Sequence, residues 1–244
     1  MEKRLDRINE ELSIYQYTEG FAYGTDAVLL AAYLKIKRGS VGVELGTGTG
    51  IIPILAAYHK SPSKIYAFEI QDDYAELATE NVALCNMSDR IEIVHDDIKN
   101  VTPYYFREKG CESVDFVFTN PPYMKMTSGY LNESERKLTA RHELKCTVND
   151  ICNGASRLLK NGGDFFVIYR PDRLCDLLCA MRESGIEPKE MTEVVSHSGE
   201  APTLILVRGK KSALPSMKIT EPFVIYEGKE YSEAMKKVYE KGCM

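Results

Sequence analysis

Apolar segments of strand length alternate with helical stripes along most of this chain, and the alternation predicts an α/β fold. The expected architecture is a mostly parallel, doubly wound sheet with helices on both faces. Two further observations shape that sheet. Asn120-Pro121-Pro122-Tyr123 follows the apolar run 114–119 directly, and two prolines, lacking ladder donors, must stop a central strand there. Segments 191–195 and 203–207 are separated by only a turn, so they pair antiparallel and close the sheet with a hairpin instead of a crossover.

The elements follow in order. Thr25 or Asp26 caps a helix through Ala27–Leu34 that ends near Gly39. Val41–Leu45 is the first strand, followed by a glycine-rich turn and a helix from about Ile51, whose Pro53 sits where the first turn has no amide partner to lose. Lys64–Phe68 is the second strand, ending at Glu69. Asp72 or Asp73 caps a helix with Ala75, Ala78, Val82 and Cys85 on one stripe. Ile91–His95 is the third strand, closed by Asp96-Asp97, and 114–119 is the fourth. Val148, Ile151, Ala155 and Leu158 mark a helix stopped by Asn161-Gly162-Gly163. Asp164–Tyr169 is the fifth strand. Leu174, Leu177, Leu178 and Met181 mark the next helix, stopped at Gly185. Residues 124–146 lack periodicity and are long for a connection, which makes them a candidate functional loop.

Composition narrows the class. The 244 residues are 44% hydrophobic and 27% charged, ordinary for one globular α/β unit with short extensions. No apolar run is long enough to span a bilayer and no signal-peptide pattern opens the chain, so a cytoplasmic protein without membrane partners is expected. Seven cysteines without a Cys-x-x-Cys pair read as reduced thiols, and no metal site is expected; Cys175 and Cys179 lack a third ligand at suitable spacing. The net charge of −5 argues mildly against nucleic acid. Local basic groups nonetheless occur at Arg208, Lys210, Lys211 and Lys218, and at Arg136, Lys137, Arg141 and Lys145; each taken alone reads more simply as solvated surface.

Chemistry concentrates at the strand ends. Glu44-Leu45-Gly46-Thr47-Gly48-Thr49-Gly50 lets the backbone turn tightly and approach a ligand without Cβ clashes. The third glycine comes one residue earlier than in a dinucleotide fingerprint, which favours a ligand lacking pyrophosphate. Glu69 is placed to bind two ribose hydroxyls, with Ile70 beside it, and Asp97 to accept from an adenine amino group, with Ile98 against the ring. Ribose and adenine without pyrophosphate indicate S-adenosylmethionine. Asn120, Pro121 and Tyr123 form the second group, two rigid acceptors beside an aromatic face at the edge where open α/β sheets bind ligands.

Together these residues resemble class I S-adenosylmethionine-dependent methyltransferases, whose Rossmann-like, seven-stranded sheet carries such a closing hairpin. Asn-Pro-Pro-Tyr resembles the members that methylate planar nitrogens. Phe-Ala-Tyr-Gly-Thr-Asp-Ala-Val-Leu-Leu from Phe21, Asn120–Tyr123, Ala140–Glu143 and Arg170–Leu174 are similar to bacterial tRNA adenine-N6 methyltransferases acting on valine tRNA beside the anticodon, at position 37 in tRNA numbering. The resemblance implies that Gly24, Thr25 and Asp26 join the cofactor site. It further implies that Asn120 and Pro121 accept the amino hydrogens, that Tyr123 stacks on the base, and that Lys125, Arg141 and Arg170 bind the anticodon loop, with phosphates also held by 208–218. It divides the chain into an N-terminal helical segment closing the cofactor site (1–40), the methyltransferase domain (41–208) and a C-terminal extension (209–244), with the oligomeric state left open. Protein glutamine-N5 methylation of release factors uses the same Asn-Pro-Pro-Tyr chemistry; a non-catalytic cofactor-binding module is the alternative from another class. Methyl transfer to RNA, to a peptide or to neither separates the three.

Overall fold

The computed structural model describes residues 1–19, 22–121 and 147–244. An antiparallel hairpin of β1 (Lys3–Arg7) and β2 (Ser13–Tyr17) precedes α1 (Thr25–Tyr33). Strands then alternate with helices: β3 (Val41–Leu45), α2 (Ile51–Lys60), β4 (Lys64–Glu69), α3 (Asp72–Leu84), β5 (Ile91–His95), α4 (Pro103–Arg107) and β6 (Val114–Thr119). From residue 148 onward come α5 (Val148–Leu158), β7 (Leu159–Tyr169), α6 (Leu174–Glu183), β8 (Ile186–Val195) and β9 (Leu204–Lys211). Among the described residues no helix is long and apolar enough to cross a membrane.

The seven expected strands run in the order β8-β9-β7-β6-β3-β4-β5, with β9 antiparallel to both its neighbours and the others parallel. Two short strands, β10 (Lys218–Ile219) and β11 (Phe223–Val224), extend the sheet to nine by pairing with the outer side of β8. Central strands are buried on both faces, as parallel strands beneath helices must be. Along β6, Phe116 and Phe118 enter the core under α1 and α2, while Val114 and Val117 enter the opposite core under α5 and α6.

Several boundaries differ from the sequence reading. Residues 1–40 are not helical throughout, because the β1–β2 hairpin occupies their first half. Gly24, in extended conformation, is the cap of α1, and Thr25 and Asp26 lie inside its first turn; Gln71, not Asp72 or Asp73, caps α3. Asn161-Gly162-Gly163 does not stop α5. That helix passes directly into β7, which carries Gly162 at φ 74° beside a shift in the β6–β7 register. No structural break falls at 208/209, since β9 runs through it. The tail then forms β12 (Tyr226–Glu227), β13 (Glu230–Tyr231) and α7 (Glu233–Lys241), whose Met235 and Val238 are buried in the core with α1 and α2.

Candidate active site

The glycine turn after β3 is held by its neighbours. Gly46 N and Thr47 N both donate to Phe68 O at 2.9 Å, and Gly50 N donates to Thr47 O at 3.0 Å. Gly46, Gly48 and Gly50 all have positive φ, 79°, 56° and 80°, a region L side chains rarely adopt. At Gly50 a Cβ would also come 3.3 Å from Ala78 Cβ, so α2 and α3 approach closely there. The turn is braced from below by Asn81, fully buried in α3. Its Nδ2 donates to Thr49 O and Tyr15 O at 2.9 Å each, and its Oδ1 accepts from Tyr15 N at 2.6 Å. One amide therefore joins the turn to the N-terminal hairpin.

Two carboxylates face this turn. Glu69, 5% exposed, accepts from Gly48 N at 2.8 Å through Oε2 and from Gln71 N at 3.0 Å through Oε1. Glu44 is fully buried; its Oε2 accepts from the Thr47 hydroxyl, and its Oε1 has no partner among the described residues. Burial pushes the Glu44 carboxyl well above the usual range, opposed by the Thr47 bond and reinforced by the nearby Glu69 charge. An orphaned buried acceptor suits a ligand with a cationic group, and S-adenosylmethionine carries both an ammonium and a sulfonium. Ile70 is 43% exposed, offering an apolar surface beside Glu69. At the end of β5, Asp97 Oδ1 accepts from Lys99 N at 2.9 Å and shapes the turn that presents it, with Ile98 half-buried against the core.

Asn120 emerges where β6 ends. The neighbouring Thr119 hydroxyl donates to Leu45 O at 2.7 Å, fastening the end of β6 to the end of β3, and Pro121 is buried. Asn120 Nδ2 donates to Asp26 Oδ2 at 3.0 Å, so Asp26 meets Asn120 at the site's edge. Gly24 is packed against the same carboxylate, where a Cβ would fall 2.7 Å from Asp26 Oδ1. The structure thus gathers Gly24, Asp26, Glu44, the three glycines, Glu69 and Asn120 around the carboxyl ends of β3, β4 and β6. Tyr123, Lys125 and Arg141 lie outside the described residues.

Arg170 follows β7 and is forked onto Asp172, Nε to Oδ1 at 2.8 Å and Nη2 to Oδ2 at 2.9 Å, which holds the Asp172 carboxyl below its usual range. Of the basic stretch 208–218, expected to hold phosphate, three residues are engaged within the chain. Arg208 pairs with Asp164 at 3.2 Å and Glu190 at 3.7 Å, Lys210 with Asp164 at 3.1 Å, and Lys211 donates to the Ser156 and Leu159 carbonyls. Because β9 is antiparallel, Arg208 pairs with Phe166 and Lys210 with Asp164, midway along β7. The bracing residues Thr47, Asn81 and Thr119 were not anticipated; the available signal was Asn81, a polar residue inside the apolar stripe of α3.

The model of the family described as tRNA methyltransferase complex GCD14 subunit matches residues 16–132. The chain is 30% identical over 215 residues to the tRNA1(Val) (adenine(37)-N6)-methyltransferase of Porphyromonas gingivalis, covering 85% of this chain and 82% of that protein. It is 27% identical to the protein of the same name from Bacteroides thetaiotaomicron, over 88% and 89% of the two chains. Among solved structures, a predicted O-methyltransferase from Agrobacterium tumefaciens superposes with a TM-score of 0.71 at 21% identity, over 89% of this chain and 97% of that one. M. jannaschii TYW2, solved in complex with AdoMet, superposes with a TM-score of 0.56 at 13% identity, covering 85% of each. At these identities the two solved structures speak to the fold alone.

Proposed function

This chain belongs to the family of tRNA1(Val) (adenine(37)-N6)-methyltransferases, and on that premise we propose that it methylates N6 of adenine 37, beside the anticodon of valine tRNA. It is an S-adenosylmethionine-dependent enzyme whose substrate is an adenine of tRNA. The observation that carries the residue assignment is the position of Asn120 at the end of β6, on the sheet edge that also holds the glycine turn and Glu69.

When bound, S-adenosylmethionine supplies an electrophilic methyl group on its sulfonium. Gly46, Gly48 and Gly50 would give it backbone access, Glu69 would accept from its ribose hydroxyls, and Glu44 would offset its positive charge. Asp97, with Ile70 and Ile98, would receive the adenine ring; Gly24, Thr25 and Asp26 would border the methionine end.

An adenine amino group is a poor nucleophile because its lone pair is conjugated into the ring. Asn120 Oδ1 and the Pro121 carbonyl each accept one N–H, drawing the nitrogen toward tetrahedral geometry and aiming its lone pair at the methyl. Positive charge develops on nitrogen as the bond forms, so fixed acceptor dipoles stabilise the transition state more than the ground state. No side-chain base is needed before transfer; the surplus proton leaves to water afterwards. Tyr123 stacks on the extruded base, contributing on the order of 1–3 kcal/mol, comparable to the few kcal/mol that unstacking costs. A single-stranded anticodon loop is the cheapest place to extrude a base, and Lys125, Arg141 and Arg170 are assigned to its phosphates.

The test is labelled S-adenosylmethionine with purified protein and unmodified bacterial tRNA, followed by nucleoside mass spectrometry. N6-methyladenosine in the valine species is expected, with Asn120→Ala abolishing transfer while cofactor affinity stays within about twofold. Label absent from RNA but present in an added peptide-release factor overturns the substrate.

A further inference from the structure

We infer that Asp26 is a positioning residue for methyl transfer, its carboxylate fixing which end of the Asn120 amide faces the substrate. The inference rests on the reading of Asn120 as acceptor of an adenine N–H. An amide has a donor end and an acceptor end exchanged by a half-turn of its terminal torsion, whereas an ionised carboxylate can only accept. Asp26 Oδ2 takes the Asn120 Nδ2–H at 3.0 Å, which turns the nitrogen toward α1 and the carbonyl oxygen away from it. The flipped amide would set its oxygen against a carboxylate and present N–H donors to an amino group that must itself donate. Asp26 thereby selects the one orientation in which Asn120 works.

The surroundings hold Asp26 still. It lies in the first turn of α1, where the helix dipole favours a carboxylate, and Ala27–Tyr33 behind it are all buried. Gly24 leaves the volume that Asp26 Oδ1 fills; any side chain there would meet that oxygen at 2.7 Å. Upstream, Gln16, 2% exposed, accepts from Tyr23 N at 2.8 Å and fixes the entry into the helix.

Steady-state kinetics on full-length variants test this, with circular dichroism and cofactor titration confirming that each folds. In D26N two amides face one another and pair either way round, so kcat falls on the order of tenfold to a hundredfold, by more than cofactor KM rises. N120D alone opposes two carboxylates and loses at least as much. The exchange variant D26N/N120D restores one donor facing one acceptor with the direction reversed, leaving a carboxylate oxygen toward the substrate. Its kcat should exceed that of N120D by roughly tenfold. A merely structural role for Asp26 gives no such rescue. Unchanged kcat in D26N, or an exchange variant no better than N120D, overturns the inference. Transfer surviving in Asn120→Ala would instead overturn the reading of Asn120 beneath it.

Discussion

The Gly48 amide donates to Glu69 Oε2 at 2.8 Å, so the middle glycine of the turn after β3 is pinned by the residue that ends β4. One carboxylate both shapes the loop and, in the proposed function, holds the cofactor ribose. Glu69→Gln should therefore weaken S-adenosylmethionine binding by about tenfold to a hundredfold. Only one of its two terminal atoms can then accept, which leaves either Gly48 N–H or Gln71 N–H facing another donor in a nearly closed site, at a cost of about 1–3 kcal/mol. Calorimetric titration gives the affinity directly, and an unchanged value removes Glu69 from the cofactor pocket.

Asn81→Ala addresses the brace beneath the same turn. It deletes three buried hydrogen bonds, two to Tyr15 and one to Thr49, and strands their backbone partners. At about 1 kcal/mol net for each bond, the expected loss is on the order of 3 kcal/mol of folding stability. Urea denaturation measures it. Because the hairpin and the glycine turn share this one side chain, cofactor affinity should fall with stability; a loss of stability alone would mean the turn keeps its shape without the brace.

The strands that carry the site were readable because parallel central strands are nearly continuous apolar runs with punctuated ends. Gly46 follows β3, Glu69 ends β4, and Asn120-Pro121 ends β6. The β1–β2 hairpin was not readable. Its first strand is largely exposed, with Leu5 at 56%, and tertiary bonds fasten it to α3 through Asn81 and from the Tyr17 hydroxyl to Asp73 O. Local cap chemistry misled at Asp26 for a related reason, since Gly24 holds the cap position and the Asp26 carboxylate bonds a residue ninety-four positions away. Arg208 and Lys210 show why a run of charge is ambiguous. Sequence gives their sign, but only the antiparallel turn of β9 sets them beside Asp164.

Glu44 makes the pH dependence testable with a definite sign. Its folded carboxyl sits well above its unfolded range because it is fully buried. The folded protein therefore holds a proton that the unfolded chain releases. Stability from this group is complete at low pH and declines as pH rises from about 5 toward the folded value, by at most about 1.4 kcal/mol per pH unit. Glu44→Gln keeps a neutral side chain at every pH, so the ligand-free variant should be more stable than the parent near neutrality, with a flatter profile in urea titrations. Cofactor binding should show the opposite face of the same linkage. A cationic ligand beside Glu44 Oε1 favours the carboxylate, so binding expels a proton and affinity rises with pH through the same window. Titration calorimetry in two buffers of different ionisation enthalpy counts that proton. Glu44→Gln should abolish its release and weaken binding; release that persists in the variant would assign the proton to another group.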